Sequence, residues 1–127
     1  MEILNNLISN YYYTGAVILF IIGFHTMLYN SNLIKKLIGM NIMDTAVFLL
    51  FVSYGYVKGK RAPIIDLSAE GGGYVNPLPM ALILTGIVVA VSITAFALAL
   101  TIRLYDFYGT VDIDEITEIR RRQHEDE

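Results

Sequence analysis

No cysteine occurs in this 127-residue chain, which excludes disulfides, iron–sulfur ligation and thiolate zinc sites within it. The two histidines, His25 and His124, are too few and too far apart to build a metal cluster, so no metal site is expected. No nucleotide loop, catalytic triad or pair of carboxylates is found. The run Gly71-Gly72-Gly73 lacks the strand and helix context of a phosphate loop. A catalytic site of the chain's own is therefore not expected, and any redox chemistry would belong to partner subunits. A basic surplus is missing too: the formal net charge of -3 argues against nucleic acid as a partner. No Lys or Arg precedes the first apolar run and no small-residue cleavage site follows Met1-Glu2, so the start does not read as a cleaved signal.

What the chain has instead is apolar length. It is 55% hydrophobic with a mean hydropathy of +0.54, above an ordinary soluble domain, and the excess lies in three runs. The first has an apolar core from Thr14 to Leu28. That core is short, so the span is expected to start about a turn earlier, near Leu7, giving residues 8–29. Tyr11, Tyr12 and Tyr13 precede it and Tyr29 follows, an aromatic belt at each interface. The second run covers 33–56 and the third 78–104. At ~1.5 Å per residue both exceed a hydrocarbon core ~30 Å thick. In lipid every backbone polar group must be bonded internally, so the runs are helices. The fold class is an all-α membrane protein with three transmembrane helices, residues 1–105, followed by a charged tail, 106–127.

The connection Asn30–Asn32 is short enough to make the first two spans an antiparallel hairpin. The second connection, Val57–Pro77, is longer; its glycine run is flexible, and Pro77 and Pro79 sit where a helix can begin. In the tail Ile113, Ile116 and Ile119 recur every three residues and Glu118 precedes Arg122 by four, which suggests a short amphipathic surface helix, a solvated tail being the alternative. Lys35, Lys36 and Arg103 collect on one side, Lys58, Lys60 and Arg61 on the other; the run Arg120–Arg122 tips the balance to N-terminus outside and C-terminus cytoplasmic.

One ionisable side chain falls in the middle of a span, Asp44. An acid at that depth costs on the order of 3 kcal/mol to insert and usually faces a protein interior or a water-filled path. Asn41 and Thr45 flank it at helical spacing, and with the more distant Lys36 they form a candidate polar stripe suited to reversible protonation or cation contact. The plainer reading is a structural hydrogen bond to a neighbouring subunit. His25, near the end of the first span, is a candidate relay but more simply a polar contact at the interface. In the third span Gly86, Ala90, Thr94, Ala97 and Thr101 fall three or four apart, a small-residue face that lets another helix approach. Thr85 and Ser92 are further candidates for an aqueous path.

Three stretches carry a family resemblance: Asn32 to Gly39 (NLIKKLIG), Tyr74 to Val88 (YVNPLPMALILTGIV) and Gly109 to Glu115 (GTVDIDE). They resemble the C subunit of the multisubunit Mrp-type sodium/proton antiporters over nearly the whole chain. Leu37 to Met43 (LIGMNIM) is similar to the K subunit of NADH–quinone oxidoreductase. The resemblance implies three helices, N-terminus outside, beside large antiporter-like subunits. It also implies two intramembrane glutamates in the K subunit's proton path. Those positions fall at Asn41 and near Ala90 here, neither of them acidic, and Asp44, one turn from Asn41, is the candidate replacement for the first. The mixture of Mrp-like and K-like features resembles the Mrp modules of archaeal membrane-bound hydrogenase and the related sulfur-reducing complex, which implies Fe–S and NiFe-type cofactors in partner subunits. The expected function is a non-catalytic subunit of such a module, with Asp44 exchanging protons or contacting sodium, Asn41 and Thr45 orienting it and Lys36 tuning it. A stand-alone Mrp antiporter and a structural spacer are the alternatives.

Overall fold

The computed structural model describes residues 1–62, 73–75 and 77–127; Gly71 and Gly72 of the glycine run lie outside them. The order is α1 (Glu2–Ser9), α2 (Tyr11–Tyr29), α3 (Leu33–Gly55), α4 (Leu78–Tyr108) and α5 (Ile113–Glu125). Among the described residues there is no strand, only two isolated bridges, Asn32 with Asp112 and Arg61 with Tyr74. Helices α2, α3 and α4, with 19, 23 and 31 residues, are long and apolar enough to cross a membrane. At ~1.5 Å per residue they measure roughly 28, 34 and 46 Å.

The first span begins at Tyr11, not at residue 8, because Asn10 leaves helical geometry at φ -111°, ψ 41°. Asn10 itself still bonds to both sides, its N–H donating to Asn6 O at 3.1 Å and its carbonyl accepting from Thr14 N–H at 3.1 Å, while the Thr14 hydroxyl donates to Leu7 O at 3.2 Å. The separate helix α1 presents Ile3, Leu4, Leu7 and Ile8 at the surface. The second span stops at Gly55, a residue short of the expected end. The third runs four residues past 104, to Tyr108, where Gly109 at φ 73° supplies a left-handed cap. Glycine takes that conformation without the steric cost of a Cβ. The boundary at 105 therefore falls inside α4.

Helix α3 lies between α2 and α4 and packs against both. Its contact with α2 is a seam of small residues. A Cβ on Gly23 would stand 2.8 Å from the Gly39 carbonyl oxygen, and one on Gly39 would stand 2.8 Å from that of Gly23 and from Met27 N. Seven residues along in each helix, Ala16 and Ala46 are buried, and at the next heptad Ser53 is buried with its carbonyl accepting from the Tyr13 hydroxyl at 3.3 Å. Backbone approach of this kind is how helices associate where lipid removes the hydrophobic drive. Against α4, the Phe48 ring sits on Gly86, 2.7 Å from where a Cβ would be. No large side chain is fully buried among the described residues. The three helices form a layer without a core of their own, its outward apolar surface left for lipid or partner helices.

At the end where α3 starts, two helix N-termini lie side by side. Asn32 caps α3, its Oδ1 accepting from Ile34 N–H at 2.9 Å, and Asp112 caps α5 by accepting from Asp114 N–H at 2.9 Å. Leu33 N–H donates to Val111 O and Ile113 N–H to Ser31 O, each at 3.0 Å, and the Ser31 hydroxyl donates to Asp112 Oδ2 at 2.9 Å. The tail is therefore clipped to the α2–α3 turn and continues as the helix expected from its isoleucine spacing.

Candidate functional site

Asp44 is the middle residue of the 23-residue α3, Leu33–Gly55, roughly 16 Å from either end. It faces a cleft of about 440 Å³ between α3 and α4, lined by Asn41, Asp44, Thr45 and Phe48 on one side and by residues including Ala90, Thr94 and Leu98 on the other. The small side chains of α4 are what leave room for it. Gly86, Ala90, Thr94, Ala97 and Thr101 recur on the less exposed side of α4, the side that meets α3. Asn41 and Ala90, at and near which the K-subunit resemblance places its two positions, line the same cleft as Asp44.

The polar groups in the cleft are tied together with Asp44 left over. The Thr94 hydroxyl donates to Asn41 Oδ1 at 2.9 Å, the one side-chain to side-chain hydrogen bond between spans among the described residues. The Thr45 hydroxyl donates to the Asn41 carbonyl at 2.9 Å, so it is spent on its own helix. No hydrogen bond or ion pair joins Asp44, which is half-buried, to another described residue. Asn41 and Thr45 also line a second cleft of about 230 Å³ with Leu19, Ile38 and Ile42. They thus form a ridge on one face of the helix layer with a cleft on each side.

Four sequence candidates stand elsewhere. The Lys36 ammonium donates to the Met27 carbonyl at 2.8 Å, capping the last turn of α2, where exposed carbonyls and the helix dipole favour a cation. It does not line the Asp44 cleft, so the expected stripe stops at Asn41. His25 is exposed on α2 with its ring stacked on Tyr29, centroids 5.2 Å apart, and lines neither cleft. Thr85 and Ser92 donate to carbonyls of their own helix, Ala81 and Val88, and both are exposed on sides of α4 that do not face α3. Among the described residues no group of three His, Asp or Glu could hold a metal ion.

Sequence reading passed over two features. The Gly23–Gly39 seam was signalled by the seven-residue spacing of Gly39, Ala46 and Ser53 against Ala16 and Gly23. The Ser31–Asp112 clip was half-signalled: Asn32 and Asp112 each stand as a helix cap before an apolar residue, but that the two caps pair is a tertiary fact.

Residues 11–121 match the family described as NADH-ubiquinone/plastoquinone oxidoreductase chain 4L. The chain is 34% identical over 90 residues to the C subunit of the Na(+)/H(+) antiporter of Bacillus subtilis, covering 71% of this chain and 78% of that one. It is 32% identical over 101 residues to the antiporter C subunit of Alkalihalophilus pseudofirmus, covering 80% and 88%. Among solved structures it is similar to a chain of the membrane-bound sulfane sulfur reductase, an archaeal respiratory membrane complex. There the TM-score is 0.76 and the identity 49%, over 82% of this chain and 94% of that one.

Proposed function

The chain belongs to the NADH-ubiquinone/plastoquinone oxidoreductase chain 4L family, and from that premise we propose that it is a non-catalytic membrane subunit of an Mrp-type Na+/H+ antiporter module, helping form the ion path of a redox-driven complex. It is a multi-pass membrane protein with three spans, and its relatives are antiporter C subunits and a chain of a respiratory membrane complex.

The observation that carries the ion-path role is the half-buried carboxylate of Asp44 at mid-span, facing a cleft in which the Thr94 hydroxyl is already bonded to the Asn41 side-chain oxygen. A carboxylate held at that depth without a partner among the described residues faces another subunit's polar group or water. On this reading Asp44 takes and releases a proton or contacts sodium, while Asn41, fixed by Thr94, sets the shape of the cleft beside it. Lys36 has no direct part, since its ammonium is bound to the end of α2. The C-terminal helix lies on the cytoplasmic side, as the Lys and Arg distribution favours. Large antiporter-like subunits are the neighbours, and redox subunits carrying Fe–S clusters, with or without a NiFe-type centre, drive the motion. The 49% identity to the sulfane sulfur reductase chain favours a sulfur-reducing complex over a membrane-bound hydrogenase.

A stand-alone antiporter is the second reading, favoured by the identity to the antiporter C subunit of Bacillus subtilis. Companions separate the two. Purification in mild detergent is expected to bring down iron–sulfur proteins with the membrane subunits; recovery of membrane subunits alone would move the chain to the stand-alone antiporter.

A further inference from the structure

The cleft that holds Asp44 does not end at the polar residues. A second, open-sided cleft of about 350 Å³ lies further along the same α3–α4 interface, lined by Ile34, Leu98, Thr101, Ile102, Tyr105 and Val111, and its walls are apolar. Leu98 lines both, so the two form one groove. From Asp44 to Ile34 is ten residues along α3, about 15 Å. The Thr101 hydroxyl does not wet this stretch, because it donates to the Ala97 carbonyl of its own helix at 2.8 Å.

The chain itself crosses the groove's outer end. Helix α4 stops at Gly109, whose left-handed backbone turns the chain off the helix axis. Residues 110–112 then pass from the end of α4 to the start of α3, where the two bonds through Leu33 and Ile113 and the Ser31–Asp112 bond hold them. Thr110 is fixed as well, its hydroxyl donating to Glu115 Oε2 at 2.6 Å and accepting from Asp112 N–H at 3.2 Å. Val111, the apolar residue of this strap, lines the second cleft. Once lipid or a partner helix covers its open side, an apolar constriction of this kind excludes water and ions by dewetting.

We propose that residues 110–112 are an insulating strap, with Val111 as its stopper, closing the groove so that the Asp44 cleft has no aqueous route to the C-terminal side along this chain's own surface. The inference rests on the reading of the cleft as part of an ion path: a proton or sodium site in a driven complex must not leak to the wrong side, and here the seal is built from the same chain as the site. Ser31 and Asp112 are then positioning residues, acting through Val111.

The chain's lack of cysteine means that label recovered on this subunit reports the introduced residue alone. Leu98→Cys is introduced into the assembled complex in membrane vesicles, and a membrane-impermeant maleimide is applied from the C-terminal side. Labelling is expected to be slow with the strap intact and at least about tenfold faster when Asp112→Ala is added. Val111→Ser, which keeps every main-chain bond of the clip, is expected to give an intermediate rate and carries the decision if Asp112→Ala lowers the yield of complex. Rapid labelling with the intact strap, or the same slow rate in both strap variants, would overturn the proposal. The readout does not pass through Asp44. Unchanged transport in an Asp44 variant would therefore sink the ion-path reading and leave the labelling result standing, and the converse failure would remove only the strap.

Discussion

Asn41 uses its two oxygens on two helices: the carbonyl accepts from Thr45 within α3, and Oδ1 accepts from Thr94 on α4. A single interhelical hydrogen bond in a membrane averages only about 0.6 kcal/mol. Thr94→Ala is therefore expected to leave the complex assembled while lowering transport, because the amide beside Asp44 is then free to turn; Thr94→Ser should restore it. Equal transport in Thr94→Ala and the parent would remove Asn41 from the site. Asp112 is a second residue-scale test. The Ser31 hydroxyl, and then the Asp114 and Glu115 amides, hold its carboxyl below the ordinary value of 3.8, burial opposing them. A lowered folded value means the clip's stabilisation is fully present above the ordinary value and is lost as pH falls through the lower one. Hydrogen exchange at the Ile113 amide should hence be equally protected between about pH 5 and 8 after correction for intrinsic rates, and lose protection only in stronger acid. Loss of protection near neutrality would contradict the assigned bond. At this scale the sequence was most informative where a charge stands out from its surroundings. Asp44 is conspicuous in an apolar run. The partner of Lys36 is not, because it is a main-chain carbonyl on another helix, invisible to side-chain patterns.

At the scale of elements, the α2–α3 hairpin depends on two glycines that admit no Cβ. Gly23→Ala or Gly39→Ala places a methyl 2.8 Å from a facing carbonyl oxygen, and such overpacking costs about 1–3 kcal/mol or forces the helices apart. Either variant is expected to reduce the amount of assembled complex, measured by native gel, whereas Gly15→Ala, with nothing within 4 Å, should be silent. A silent Gly39→Ala would mean the seam is looser than described. The spans themselves were legible, since apolar length and the hydrogen-bonding demand of lipid leave few choices. Their ends were less so. The bend at Asn10 depends on one residue's backbone angles, and α4 outlasts its apolar run because Arg103 and Asp106 are as compatible with a helix as with a tail. Gly109, a visible stop signal, marked the true end. The small-residue face of α4 was readable from its spacing; that Phe48 would occupy Gly86 was not, since it requires knowing which helix comes alongside.

The whole molecule is a layer of three spans with α3 in the centre and few buried side chains, Ala16, Ala46 and Pro79 the buried apolar ones within the spans among the described residues. Such a layer leans on other subunits for its remaining contacts. Produced without its companions, the chain is expected to fall several-fold in membrane abundance by quantitative immunoblot; full abundance alone would argue that lipid suffices. The same geometry explains why the candidate site was only half legible. The acid and its helical neighbours could be read from the sequence, but a cleft exists between helices, and the choice of Thr94 over Thr85 or Ser92 as the α4 contribution is made by the rotation of α4 against α3. The central claim is that ions or protons pass close to Asp44, and it is tested most directly by sodium and proton transport in vesicles holding the assembled complex with Asp44→Ala. The account predicts a complex of normal composition with transport reduced at least about tenfold, recovering in part with Asp44→Glu. Transport at the parent rate in a fully assembled Asp44→Ala complex would contradict it.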